Sequence, residues 1–151
     1  MSRFGPDSKK KLRDIFLYTA ESEIQIERLR QQLCALPEFQ PFAAFRRIDR
    51  ANNGLLDNKQ LCQFVKENGF RELEFSDFNA LIKYFDLDDD RKLNYHDFLQ
   101  VLLSCDDGFL RAAATQRPNL DVIGCQFLPC SVERLLSQLL YREVRYHLKV
   151  E

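Results

Sequence analysis

Residues 86–97 read DLDDDRKLNYHD, and this stretch decides the fold. Counted from Asp86, side-chain oxygens stand at loop positions 1, 3, 5, 9 and 12, as Asp86, Asp88, Asp90, Asn94 and Asp97. Oxygens on alternate residues let one turn of chain wrap a hard divalent cation, with the Lys92 carbonyl at position 7 as a further ligand. Two residues depart from that pattern. Arg91 stands at position 6, where a glycine takes the sharp turn most easily; a left-handed backbone there costs an arginine on the order of 1 kcal/mol. Asp97 stands at position 12 and is one methylene shorter than the usual bidentate glutamate. Fewer oxygens favour six-coordinate Mg²⁺ over seven-coordinate Ca²⁺. The loop is therefore expected to hold one Ca²⁺ or Mg²⁺ weakly, or none.

Apolar residues at helical spacing flank this loop. Phe78, Leu81, Ile82 and Phe85 precede it, with Ser76 and Asp77 placed to cap their helix. Phe98, Leu99, Leu102 and Leu103 follow it. The same order occurs once more upstream. Pro41 suits a first helical turn, and Phe42, Phe45 and Ile48 then lead into Asp49. Leu61, Phe64 and Val65 come after the intervening loop and end at Asn68–Gly69, a helix-stop pair. That upstream loop, 49–60, keeps Asp49, Asn53, Gly54 and Asp57 at positions 1, 5, 6 and 9. Ala51 removes the ligand at position 3, and Gln60 puts a neutral amide at position 12. With two charged candidates left, it is expected to bind nothing.

Helix, loop, helix thus occurs twice, and residues 38–104 resemble the paired EF-hands of the calmodulin superfamily. AFRRIDRANNGLLDNKQL aligns with one hand and KYFDLDDDRKLNYHDFLQVL with the next. The resemblance implies a short antiparallel bridge between Leu56 and Leu93, at position 8 of each loop. It gives an all-α fold in three parts: an N-terminal helical extension over 1–36, the EF-hand pair over 37–105, and a C-terminal extension over 106–151 ending in a helix. The whole layout, with its FLRAAATQRP tail, is also similar to small EF-hand proteins of ciliary axonemes, notably in ciliates. That likeness implies a cytoskeletal place on the doublet microtubule of a cilium, with tubulin or other axonemal proteins as partners.

Outside the pair, Leu12, Ile15, Thr19, Ser22, Ile26, Leu29, Leu33 and Leu36 keep a 3-4 spacing over one long helix that Pro37 closes. Asp106 and Asp107 can start a short helix through Ala114. The stretch from Thr115 to Cys130, with Pro118, Gly124 and Pro129, is expected to be extended or turning. Ser131 is then expected to cap a last amphipathic helix, with Val132, Leu135, Leu136, Leu139 and Leu140 on one side. The expected helices span 9–36, 41–48, 58–67, 76–85, 95–104 and 131–148. Either terminal stripe can face a partner, or the two can cover each other and the central pair.

Composition excludes several classes. A net charge of −1 provides no general pull toward nucleic acid or an anionic membrane, and no apolar run approaches a membrane span. The N-terminal MSRFGPDSKKK has no apolar segment of a secretory signal, so a cytoplasmic place is expected. Five scattered cysteines favour reduced thiols, and Cys125 with Cys130 lack the second pair a zinc site needs. No nucleophile elbow, P-loop or HExxH pattern occurs, so no enzyme is expected. Nine of the thirteen phenylalanines lie between 37 and 105, which makes them the expected core: Phe45, Phe64, Phe78, Phe85 and Phe98, with Ile48. The only methionine is Met1, whereas adaptable target grooves are usually methionine-rich. The expectation is a structural adaptor that docks through its terminal helices; the alternative is a Ca²⁺- or Mg²⁺-responsive regulator working through the second loop.

Overall fold

The structure is a computed structural model that describes residues 6–117 and 128–150, with the backbone alone for 6–19 and 150. Seven α-helices follow in order: α1 Pro6–Ala35, α2 Pro41–Ile48, α3 Asn58–Glu67, α4 Phe78–Phe85, α5 Tyr95–Leu102, α6 Gly108–Thr115 and α7 Cys130–Val150. Among the described residues there is no strand, and one antiparallel bridge pairs Leu56 with Leu93. Its two N–H···O bonds measure 2.8 and 2.9 Å. The all-α architecture, with two helix-loop-helix units joined at position 8 of their loops, is the one expected from the sequence.

Local chemistry explains the helix starts. Pro41 begins α2, where its missing N–H costs nothing. Asp57 and Asn94 cap α3 and α5, each accepting an N–H from the third helical residue. The Asp107 carboxylate accepts from the N–H groups of Phe109 and Leu110 and so starts α6. Gly69, at φ 99°, turns the chain after α3. Two expected caps are corrected. Ser76 and Asp77 lie in a 3₁₀ turn, Phe75–Asp77, where the Asp77 carboxylate accepts the Glu74 N–H at 2.8 Å. Helix α4 therefore starts at Phe78, two residues later than expected. Ser131 lies inside α7, and its hydroxyl donates to Glu38 at 2.7 Å instead of capping. The expected turns between Thr115 and Cys130 fall largely on 118–127, which with Cys125 lie outside the described residues.

One apolar cluster runs through the described residues. Phe45, Ile48, Phe64, Phe78 and Phe98 are buried in it as expected. Phe85 is not central: as the last residue of α4 it is half-buried, with its ring edge-on to Tyr84 at 4.9 Å and near His147 at 5.8 Å.

The terminal helices close onto the pair. Helix α7 packs against α1, α3, α4 and α5. Its Val132, Leu136, Leu139, Leu140 and Val144 are at most 1% exposed, in the same cluster as Ile26 and Leu33 of α1. Leu29 and Leu135 are half-buried against it. Over their described side chains, the stripes that could have faced a partner thus cover each other and the central pair. The side chains of Leu12, Ile15 and Thr19, in the first half of the α1 stripe, lie outside the described ones. A buried leucine or valine contributes about 1.5–3 kcal/mol, so five on α7 far exceed what helix propensity alone supplies.

Candidate metal centre

Both loops take one backbone path. Position 4 is left-handed in each, Asn52 at φ 54° and Asp89 at φ 56°. So is position 6, Gly54 at 78° and Arg91 at 63°. Arg91 therefore adopts the strained conformation that the sequence demanded of it. In each loop the position 1 carboxylate holds that turn: Asp49 accepts the Gly54 N–H at 2.9 Å, and Asp86 accepts the Arg91 N–H at 2.7 Å. Position 5 acts alike, with Asn53 accepting from the Leu55 N–H and Asp90 from the Lys92 N–H.

The loops part at positions 3, 9 and 12. In the first, the Asp57 carboxylate accepts the Gln60 N–H at 2.8 Å, and the Gln60 side-chain oxygen accepts the Asp57 N–H at 3.0 Å. In the second, the roles exchange charge. The Asn94 amide oxygen accepts the Asp97 N–H at 2.8 Å, and Asp97 Oδ2 accepts the Asn94 N–H at 3.3 Å. The Asn94 amide also donates to Asp88 at 3.0 Å. That leaves Asp97 Oδ1 buried without a hydrogen-bond partner, the one such side-chain oxygen or nitrogen among the described residues. Burial pushes the Asp97 carboxyl above its ordinary range; the Asn94 N–H opposes this, and the charges of Asp88 and Asp86 add to it.

Of the expected ligands, Asp86, Asp88, Asp90, Asn94 and Asp97 are tied into one hydrogen-bonded loop, and Lys92 joins it through its N–H. Among the described residues, no three acidic, histidine or cysteine side chains already stand in a metal-holding arrangement. The donor set nonetheless fits a hard cation: all side-chain donors are oxygens, four are carboxylates, and one buried oxygen lacks a partner. Asp86 and Asp90 accept backbone N–H groups, and the remaining lone pairs of each carboxylate are what a cation would use.

A polar cluster joining α1, the end of α5 with the chain after it, and α7 was not singled out in the sequence. Glu27 on α1 accepts from the Ser104 hydroxyl at 2.6 Å and from the N–H groups of Cys105 and Asp106. Burial alone would raise the Glu27 carboxyl, but these bonds and that from Gln31 carry it below its ordinary range. Arg30 donates to the Val101 carbonyl at 2.9 Å and pairs with Glu143 of α7. Glu143 also meets the His147 ring at 3.2 Å, and both are buried. At the other end of α7, Arg47 is held between Glu67 and Glu133 at 3.0 and 2.7 Å. The signal was present in the spacing: Glu143 and His147 continue the line of Leu136 and Leu140 along α7.

Residues 40–103 match the family model of the EF-hand domain pair. The match spans both loops and α2 to α5, so the middle of the chain is an EF-hand pair. No curated protein and no solved structure matches the chain. None of the described helices is long and apolar enough to cross a membrane.

Proposed function

We propose that this chain is a non-enzymatic adaptor whose EF-hand pair serves as a scaffold, clamped by its own terminal helices. The observation that carries this is the position of α7. It buries five apolar side chains against α1 and three helices of the pair, a face that a separate helix could otherwise cover. Ion pairs at both ends, Arg47–Glu133 and Arg30–Glu143, fix it there. The face of the pair formed by α3, α4 and α5 is thus covered by the chain's own last helix.

Docking then falls to outward-facing residues of the terminal segments. Ile24 on α1, Phe109 on α6 and Leu148 on α7 are 52%, 84% and 43% exposed. The layout's likeness to ciliary axoneme proteins makes the doublet microtubule, with tubulin or other axonemal proteins, the assembly to test first. Co-sedimentation with purified doublets should hold the chain equally with calcium and with chelator. Ile24→Asp with Phe109→Asp should release it at unchanged melting temperature. Retention that vanishes with chelator, or that survives this double variant, would sink the reading.

A second reading rests on Asp97. Its partnerless buried oxygen supports a cation-responsive regulator, with Asp86, Asp88, Asp90, Asn94, Asp97 and the Lys92 carbonyl holding one Ca²⁺ or Mg²⁺. Calorimetric titration of the metal-free chain separates the two. Tight binding together with newly exposed apolar surface favours the regulator.

A further inference from the structure

Beside the second loop, α1, the end of α4, the chain after α5 and the end of α7 enclose a cleft of about 260 Å³. Its walls carry four carboxylates, Glu23, Glu27, Asp106 and Glu143, against the single guanidinium of Arg30. Two of the four are already matched internally. Glu143 faces Arg30 and His147, and Glu27 takes the hydroxyl and N–H donors of the chain after α5. Arg30 is itself engaged by Glu143 and the Val101 carbonyl, so it presents no free positive charge to the cleft.

Two acceptors are left over. Glu23 takes one bond, from the Tyr146 hydroxyl at 2.6 Å. The Asp106 side chain is exposed and has no hydrogen bond or ion pair, although its N–H is bonded to Glu27. Aromatic rings line the same cleft. Tyr84 is 67% exposed while its ring lies 4.5 Å from His147 and 4.9 Å from Phe85. An exposed tyrosine held in place by two rings offers a fixed π-face, and carboxylates with no cation partner in the same cleft suit a cation. Burial first, and then the hydrogen bond to Glu23 with the charges around it, push the Tyr146 hydroxyl up to about 12.

We propose that this cleft receives an arginine side chain from a basic segment of a partner protein, its guanidinium lying on Tyr84 and hydrogen-bonded by Asp106 and Glu23. Arginine suits the site better than lysine, because a planar fork can stack on a ring and bond carboxylates along its edge at once. The proposal gives the adaptor a partner chemistry and rests on that reading for its use in the cell. The EF-hand loops take no part in it.

The test uses the full chain and a short glycine-arginine peptide, beside the same peptide with citrulline, which keeps the shape and removes the charge. Backbone amide shifts on titration should move at Tyr84, Asp106 and Tyr146. The citrulline peptide should bind at least about tenfold more weakly, as should the arginine peptide to Asp106→Asn with Tyr84→Ala. Both replaced residues are exposed, so the melting temperature should hold. Asp89→Asn, an exposed charge in the adjacent loop, should leave affinity unchanged. No binding, equal binding of the citrulline peptide, or an equal loss from Asp89→Asn would each overturn the site. The last would show diffuse attraction to an acidic surface. Failure here with doublet retention intact would leave the adaptor standing without this pocket.

Discussion

The first and second loops bend alike and are left with different chemistry. Both are left-handed at positions 4 and 6, and both use the position 1 aspartate to hold the position 6 N–H. The difference lies at positions 9 and 12. Asp57 with Gln60 forms a pair in which no buried side-chain oxygen is left over, whereas Asn94 with Asp97 leaves one. Turn geometry and ligand capacity are therefore separate properties of the same twelve positions. A loop can lose its ligands and keep its shape, because the shape is fixed by hydrogen bonds to backbone N–H groups.

The bridge is where the comparison breaks most easily, since Leu56 and Leu93 are both fully buried and pair the two loops. Leu93→Ala should cost roughly 2–5 kcal/mol in denaturant unfolding, and Leu56→Ala a similar amount. Both hands should unfold in one transition. Separate transitions would mean that the loops do not share a fate. Next in size is the effect on metal. Arg91→Gly with Asp97→Glu should tighten calcium binding by more than about tenfold in calorimetry, through a relaxed turn and a second carboxylate oxygen. Ala51→Asp in the first loop should give no measurable calcium binding, because Gln60 still fills position 12. Two calcium ions bound at micromolar concentration by the unchanged chain would overturn this account.

The turn itself allows a matched pair of substitutions. Arg91→Gly, measured in chelator, should stabilise by about 1 kcal/mol, and Gly54→Ala should destabilise by a similar amount. A Cβ at Gly54 would meet nothing within 4 Å, so the cost there is one of backbone conformation alone. If Gly54→Ala is neutral, the left-handed turn carries no strain and Arg91 gains nothing from relief.

Much of this was legible because it is local. Ligand spacing and the phenylalanine pattern placed α2 to α5, and the resemblance to paired EF-hands placed the bridge at the position 8 leucines. What stayed hidden depends on which surface meets which. An amphipathic stripe such as Ile26, Leu29 and Leu33 has the same pattern whether it covers α7 or another protein. The caps failed for a related reason. Ser76 and Ser131 have the right chemistry for a cap, but Asp77 turns back to Glu74 and Ser131 finds Glu38 across the fold. Periodicity likewise placed Phe85 on the inner face of α4 without showing that the face runs out at its last turn. Glu27, Arg30, Glu143 and His147 read as ordinary charged positions until the fold brought them together. In the second loop, spacing identified the candidate oxygens, but only three dimensions show which backbone N–H groups they accept.

The smallest expected effect isolates the leftover oxygen. The Asp97 carboxyl is pushed above its ordinary range, so the folded chain holds this proton more tightly than the unfolded chain does. Asp97 therefore favours folding while it is protonated, below the ordinary value of 3.8, and that support is lost as pH rises through the raised folded value. Glu27 and Glu67 act in the opposite sense. Their carboxyls are held below the ordinary value of 4.5, and the stability they give is lost as pH falls through the lowered values. The difference between the wild-type chain and Asp97→Asn cancels those two groups and reads Asp97 alone. In chelator above that window, Asp97→Asn should be the more stable chain by roughly 0.5 kcal/mol, because a buried charged oxygen without a donor is removed. The advantage should shrink toward acid pH as wild-type Asp97 takes up its proton. Millimolar Mg²⁺ or Ca²⁺ should reverse the order, since a cation in the second loop uses the carboxylate that asparagine lacks. The matching change in the first loop, Gln60→Glu, should show no such reversal while Ala51 leaves position 3 empty. If Asp97→Asn shifts stability equally at every pH and with every ion, Asp97 Oδ1 carries no charge penalty, and the two loops differ in sequence alone.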